Sequence, residues 1–172
     1  MMNACHHHVL QQRIQTPLGP LTAARSERGI SGLWFDAQKH HPGELPVPRV
    51  DDDPLLSTVE QALQRYFQGQ ALPAELLARL DPQGTDFQRE VWRALLEIAP
   101  GRSASYGGLA RALGRPLAVR AVGASVGRNP VSILIPCHRV LGAAGQLTGY
   151  AGGLHRKTAL LRLEGASFQE SL

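Results

Sequence analysis

The chain has 172 residues, 43% hydrophobic and 19% charged, with a net charge of +4. That is the composition of an ordinary globular protein long enough for two compact halves, and it excludes the fibrous and low-complexity classes. No aliphatic run approaches a bilayer span, Ile133-Leu134-Ile135 being among the longest, and the N-terminus lacks the charged-then-apolar layout of a secretory signal, so a soluble cytoplasmic protein without a membrane partner is expected. Charge is unevenly divided: residues 1–82 hold 7 Lys/Arg against 9 Asp/Glu, and residues 83–172 hold 11 against 5. Ten of those eleven cations are arginines, which suit phosphate and base-edge contacts and point to a polyanion partner; a merely soluble basic surface is the other reading. Of the two cysteines, Cys5 falls in a loose N-terminal tract, so no disulfide framework is expected and Cys137 reads as a free thiol.

From Val9 to Phe35 the chain reads as short strands separated by the turns Thr16-Pro17-Leu18-Gly19-Pro20 and Ser26-Glu27-Arg28-Gly29, which predicts a small antiparallel sheet. Residues 36–53, rich in His, Pro and Asp, read as a solvated loop rather than a metal site. Asp53-Pro54 supplies an N-cap and a first-turn proline, and Leu55, Leu56, Val59, Leu63, Tyr66 and Phe67 recur at helical spacing up to Gly69, so a helix should cover the sheet. A loop from Leu72 to Gly84 then marks the domain junction, giving a sheet-and-helix domain over 1–84 and a second domain over 85–172.

Thr85 and Gln88 fit a capping box, and Phe87, Val91, Leu95 and Ile98 supply one apolar face before Pro100-Gly101 stops the helix. Two shorter helices follow, about Tyr106 to Leu113 and Leu117 to Gly127, joined through Gly114: a candidate helix-turn-helix. The second is rich in small residues, Ala121, Gly123, Ala124, Ser125 and Gly127, and has Arg115, Arg120 and Arg128 around it. Such a surface lets something approach the backbone closely, either another helix or a nucleic acid. A last helix runs from about Leu154 to Leu163.

Ile133-Leu134-Ile135 reads as a short buried strand stopped by Pro136, leading into Cys137-His138-Arg139. The thiolate is the nucleophilic form of cysteine, and His and Arg neighbours favour it. Adjacent side chains on extended backbone diverge, so His138 would reach the sulfur only through a turn or a bridging water. A base of this kind needs a third group to fix its tautomer, and Glu164, at the dipole-disfavoured end of the last helix, is a candidate. On residue chemistry alone, a reactive Cys137 and a buried structural one stand level.

The segment Ile135-Pro136-Cys137-His138-Arg139-Val140 resembles the acceptor motif of the O6-alkylguanine-DNA alkyltransferase family, and the similarity continues through Ala118–Gly123, Asn129-Pro130, Gly149-Tyr150-Ala151-Gly152-Gly153 and Glu164-Gly165. It implies a two-domain α/β fold: a small antiparallel sheet with helices, ribonuclease H-like, followed by a mostly helical domain with the helix-turn-helix. It implies irreversible, single-turnover transfer of the alkyl group of O6-alkylguanine in double-stranded DNA to Cys137. His138 would act through a water, Glu164 would orient it, and Tyr106 would assist the departing guanine. Arg120 would replace the extruded nucleotide, while Ala121, Gly123, Ala124 and Arg128 would line the minor-groove face. Asn129 would brace the turn behind the cysteine, and Tyr150 would form a wall of the alkyl pocket.

No cofactor and no obligate protein partner are implied. Some relatives hold a structural zinc near the N-terminus, but Ser26 and Ser31 stand at two of the ligand positions, so Cys5-His6-His7-His8 is read as a loose tract or expression remnant and no metal site is expected. Ala151 and Ser132 depart from the serine and proline of some relatives, which bears on the size of lesion accepted. Three rivals have distinct signatures. A non-repairing lesion sensor lacks the acceptor cysteine, a transcriptional regulator carries several base-reading residues on its recognition helix, and a cysteine hydrolase turns over.

Overall fold

The computed structural model describes residues 7–169. It divides into two compact units, one made of residues 1–83 with Pro130–Leu134 and the other of Gly84–Asn129 with Ile135–Leu172.

In the first unit, β1 (Leu10–Ile14), β2 (Leu21–Arg25) and β3 (Ile30–Phe35) form an antiparallel sheet in the order β1-β2-β3. Each sheet edge is bridged at single positions by short returning segments: Arg49 bridges Gln11 on one side, and Leu80 and Val131 bridge Ile30 and Leu33 on the other, which shortens the edge open to another chain. The Val131 bridge explains the returning segment of the first unit, which a single cut after residue 84 does not provide for. The Leu33 amide donates to the Pro130 carbonyl at 2.9 Å and the Ser132 amide to the Leu33 carbonyl at 2.8 Å.

Helix α1 (Pro54–Tyr66) begins where Asp53 accepts from the Leu55 and Leu56 amides, and it packs on β1 and β2 through Leu56, Val59, Leu63 and Tyr66. Burial alone would raise the Asp53 carboxyl, but those amides and Arg25 outweigh it and hold the group below its ordinary value. Ala24, Trp34 and Leu45, with Val47, form a small apolar cluster, so the 36–53 segment is partly folded onto the sheet rather than wholly solvated. Gly32 is required there: a Cβ would come within 1.8 Å of the Trp34 ring. A one-turn helix, α2 (Ala74–Leu77), interrupts the stretch expected to be plain loop.

His7 and His8, expected in a loose tract, are docked. His7 Nε2 pairs with Asp81 Oδ2 at 2.8 Å, Ser26 Oγ donates to the same oxygen at 2.6 Å, and His8 Nδ1 meets Ser31 Oγ at 2.7 Å. Cys5 and His6 lie outside the described residues.

The second unit opens on α3 (Asp86–Leu96), whose Thr85–Gln88 capping box is formed in both directions. It continues through β4 (Ala104–Ser105), α4 (Tyr106–Ala112), α5 (Val119–Gly127), a 3-10 turn (Cys137–Arg139), β5 (Val140–Leu141) and α6 (Leu154–Leu163). Trp92 on α3 donates to the Ser125 carbonyl on α5 at 2.8 Å, and α4 packs on α5, so the helix pair is fixed to a buried aromatic. Among the described residues, no helix is long and apolar enough to cross a membrane.

Candidate functional site

Cys137 does not follow a strand. Ile133-Leu134-Ile135 is a buried turn, with Ile133 in the left-handed region at φ 70°. A short apolar run cannot by itself distinguish strand from buried turn, and here the chain turns directly after the Val131 bridge to Leu33. Pro136 then opens the 3-10 turn of Cys137, His138 and Arg139, all three buried. β5 leaves this turn and pairs in parallel with β4, which leads directly into α4. That pairing holds Tyr106, the first residue of α4, near the cysteine.

Asn129 follows α5 and donates through Nδ2 to the Ile135 carbonyl at 2.8 Å and to Cys137 Sγ at 3.0 Å. One amide thus braces the turn and contacts the sulfur. Burial pushes the Cys137 thiol above its ordinary value, opposed by the Asn129 hydrogen bond, the positive charge of Lys157 and the backbone amides of Cys137 and His138. The resting group is a protonated thiol.

His138 is fully buried and its Nε2 lies 2.9 Å from Glu164 Oε1. Burial lowers its pKa more than Glu164 raises it, so the imidazole is neutral. A neutral ring beside a carboxylate carries its proton on Nε2, which donates to Glu164 and leaves Nδ1 as the acceptor. Nδ1 has no hydrogen-bond partner among the described residues, so it does not bond Sγ directly. Glu164 caps α6, where its charge opposes the helix dipole. Arg139 holds it there, donating from Nε to Oε2 at 2.8 Å and from Nη2 to Oε1 at 2.9 Å, while its Nη1 donates to the Ile98 carbonyl. A bidentate guanidinium is among the strongest carboxylate partners.

Lys157 was not foreseen as a site residue. It is fully buried on α6, and its ammonium donates to the carbonyls of Val140 at 2.5 Å, Thr148 at 2.6 Å and Gly149 at 3.2 Å. Burial lowers its pKa to about 8, against the pull of Cys137. The signal was present in the spacing: Lys157, Leu160 and Leu161 share the buried stripe of α6.

Tyr106 is part-buried, its side chain bonded to Thr148, and burial keeps its hydroxyl above the ordinary tyrosine value, so it stays protonated and able to donate. Tyr150 is half-buried and follows the carbonyls that Lys157 holds. Cys137, His138, Glu164, Asn129 and Tyr106 are therefore brought together, and Arg139 and Lys157 join them.

The remaining predicted residues lie on α5. Arg120, Ala121, Ala124 and Arg128 are exposed and Gly123 is half-buried, whereas Val122, Ser125 and Val126 face inward. A Cβ on Gly127 would meet nothing within 4 Å, and one on Gly123 would only touch the Tyr106 ring at 3.6 Å. Packing within the unit therefore leaves room for a Cβ at both glycines, whereas Ser125 is buried and bonded to the Ala121 carbonyl. Among the described residues, no cluster of three or more His, Cys, Asp or Glu side chains is arranged to hold a metal ion.

A braced thiol beside a neutral histidine with its carboxylate, next to a helix pair presenting small residues and arginines, defines a thiol group-transfer protein built on a nucleic-acid-binding unit. Residues 86–166 match the family described as 6-O-methylguanine DNA methyltransferase, DNA binding domain, and residues 9–82 the 6-O-methylguanine DNA methyltransferase, ribonuclease-like domain. The chain is 42% identical over 151 residues to the methylated-DNA–protein-cysteine methyltransferase of Methanosarcina barkeri, covering 88% of this chain and 94% of that one. It is 44% identical to that of Mycobacterium bovis, covering 88% and 89%. The crystal structure of Mycobacterium tuberculosis OGT in complex with DNA is similar with a TM-score of 0.80 at 42% identity, over 91% of this chain and 93% of that one. The chain belongs to the methylated-DNA–protein-cysteine methyltransferase family, the DNA-repair proteins that move an alkyl group from O6-alkylguanine in DNA to a cysteine.

Proposed function

We propose that Cys137 is the acceptor, taking the alkyl group of O6-alkylguanine, chiefly methyl, from double-stranded DNA. The observation that carries this reading is the thiol braced by Asn129 next to a buried, neutral His138 whose partner is Glu164. Because the resting thiol is protonated, it needs a base at the moment of attack. His138 Nδ1 takes the proton through a bridging water, and Glu164 stabilises the imidazolium that results. Sγ attacks the alkyl carbon in line, the S–C bond forms as the C–O6 bond breaks, and the electron pair leaves on guanine. Tyr106 donates to the departing base, making it a better leaving group. The product thioether has no route to hydrolysis in this site, so each molecule acts once.

The alkylated oxygen is inaccessible inside a duplex, so the nucleotide must be extruded. Arg120 fills the vacancy, and the small-residue surface of exposed Ala121 and Ala124 with half-buried Gly123 and Gly127, together with Arg128, lies against the minor groove, where sequence is read poorly. Such indifference suits a repair protein, whose lesions occur in any context. Tyr150 walls the alkyl pocket. The domain boundary is proposed at residue 84, with Pro130–Leu134 returning to the first unit, and the protein is proposed to act in the cytoplasm.

Incubation with a duplex carrying O6-methylguanine, followed by intact mass spectrometry, is expected to show one added methyl group, about 14 Da, on Cys137 and none on Cys137→Ser. An unchanged mass with intact lesion refutes the reading. Arg120→Ala is expected to weaken duplex repair more than reaction with a free O6-alkylguanine base. Equal losses on both substrates refute the finger role.

A further inference from the structure

Among the described residues only three large hydrophobic side chains are exposed, Leu117, Val119 and Leu154, and two of them come within three residues ahead of Arg120, Leu117 in the turn before α5 and Val119 as its first residue. Leu117 is 99% exposed. A lone exposed leucine is ordinary on a protein surface. This one differs in how firmly it is presented and in what surrounds it.

The turn that carries Leu117 is pinned on both sides. The Arg115 amide donates to the Ala110 carbonyl and the Ala118 amide to the Arg115 carbonyl, each at 2.9 Å. The Arg115 guanidinium stacks 5.0 Å from the centre of the Phe87 ring and pairs with Glu90 at 2.9 Å. Pro116 fixes φ immediately before the leucine. The side chain therefore protrudes from a stiff turn, three residues ahead of Arg120. Residues 106–129 contain Arg111, Arg115, Arg120 and Arg128 and no Asp or Glu, so the partner that complements this helix pair is a polyanion. The apolar parts a duplex offers within reach of such a face are its sugars and base edges.

We infer that Leu117 packs into the minor groove beside Arg120, against the deoxyribose and base edges of the step next to the extruded nucleotide, and helps to keep that step open. The inference rests on the proposed entry of α5 into the minor groove. Apolar side chains wedged at base steps unstack them and stabilise a deformed duplex. Arg120 then replaces the missing base while Leu117 shields the edge beside it. Such a contact displaces no counterions, so its loss does not change how affinity depends on salt, unlike the loss of a phosphate contact.

The test compares wild type, Leu117→Ser, Leu117→Met, Leu117→Lys and Arg120→Ala in two reactions, repair of an O6-methylguanine duplex and dealkylation of free O6-benzylguanine base, together with the salt slope of duplex affinity. Leu117→Ser is expected to lower the ratio of duplex to free-base rate about tenfold with an unaltered salt slope, as fits the loss of one buried aliphatic side chain. Leu117→Met should restore the ratio, and Leu117→Lys should fail as the serine variant does. A wild-type ratio for Leu117→Ser alongside a lowered one for Arg120→Ala overturns the inference and leaves the proposed function standing. A gain for Leu117→Lys with a steeper salt slope also overturns it, placing the residue over phosphates. If neither Leu117→Ser nor Arg120→Ala lowers the ratio, the minor-groove reading itself falls.

Discussion

The two units each hold a histidine paired with a carboxylate at nearly the same distance, 2.8 Å for His7 with Asp81 and 2.9 Å for His138 with Glu164. Their surroundings differ. The first pair has side chains 32% and 18% exposed, and the second 0% and 3%. Water reaches the first pair, most of all at His7, and weakens it, so the pair serves to tether the N-terminal segment while Asp81 also satisfies the buried Ser26 hydroxyl. The second pair is buried, its carboxylate is also bound by Arg139, and its histidine follows Cys137 directly in the chain with Nδ1 left as a free acceptor among the described residues. Residue types alone do not separate a tether from a proton-handling device. Burial does, together with a third partner that is charged, Arg139 on Glu164, where Asp81 has the neutral Ser26 hydroxyl.

The largest effect is expected from Glu164→Gln. An amide cannot stabilise an imidazolium, and it leaves the Arg139 guanidinium buried without its counter-charge. Breaking a buried ion pair from one side costs about 3–5 kcal/mol, and loss of the orienting carboxylate in comparable triads slows chemistry by about 10⁴-fold. A drop of at least about a hundredfold in reaction with free O6-benzylguanine is therefore expected, together with a clear fall in the urea midpoint. Asp81→Asn, the matching change in the first unit, should leave the alkyl transfer rate intact, whatever it costs in stability through His7 and Ser26. Similar losses of transfer rate in the two variants would abolish the contrast.

Lys157→Met comes next, and its signature is a pH dependence. The methionine leaves the carbonyls of Val140, Thr148 and Gly149 without their donor and removes the positive charge that favours the Cys137 thiolate. Because the lysine itself loses its proton with a pKa of about 8, that charge is present at pH 7 and largely gone at pH 9.5. The rate deficit of the variant on free base should therefore be greatest near neutrality and shrink above pH 8. A deficit constant from pH 6.5 to 9.5 would mean that Lys157 acts only as a structural brace.

What was legible beforehand follows from how local each signal is. The Asp53 cap, the Thr85–Gln88 box and the span of α6 are written in adjacent residues and were readable. Ile133-Leu134-Ile135 was misread because three aliphatic residues carry no period, and the positive φ of Ile133 is imposed by the return to β3 through Val131. α2 is a single turn after Pro73, too short for any periodicity. The acidic partner of His138 could be nominated from its place at a helix end, but the Arg139 clamp joins residues 25 apart in sequence and needed coordinates. Lys157 was hidden because a lysine on a helix is normally solvated, and its partners come from two separate segments.

The smallest expected effect tests whether burial also matters in the first unit. His8, unlike His7, is buried, and its pKa is lowered by that burial and by the neighbouring charge of His7. Above pH 6.5, the ordinary histidine value, the ring is neutral in both folded and unfolded chains and costs nothing. As pH falls below 6.5, the unfolded chain takes up the proton first, so folding stability declines until the pH passes the lower native value. His138 is shifted in the same direction and contributes the same sign. Wild type should therefore show a falling urea midpoint from pH 7 to pH 5, and His8→Asn should flatten part of that slope while the His138 share persists. A slope identical in His8→Asn and wild type would show that His8 takes up its proton as readily in the folded state, and that in this unit the pair of histidines serves only as a tether.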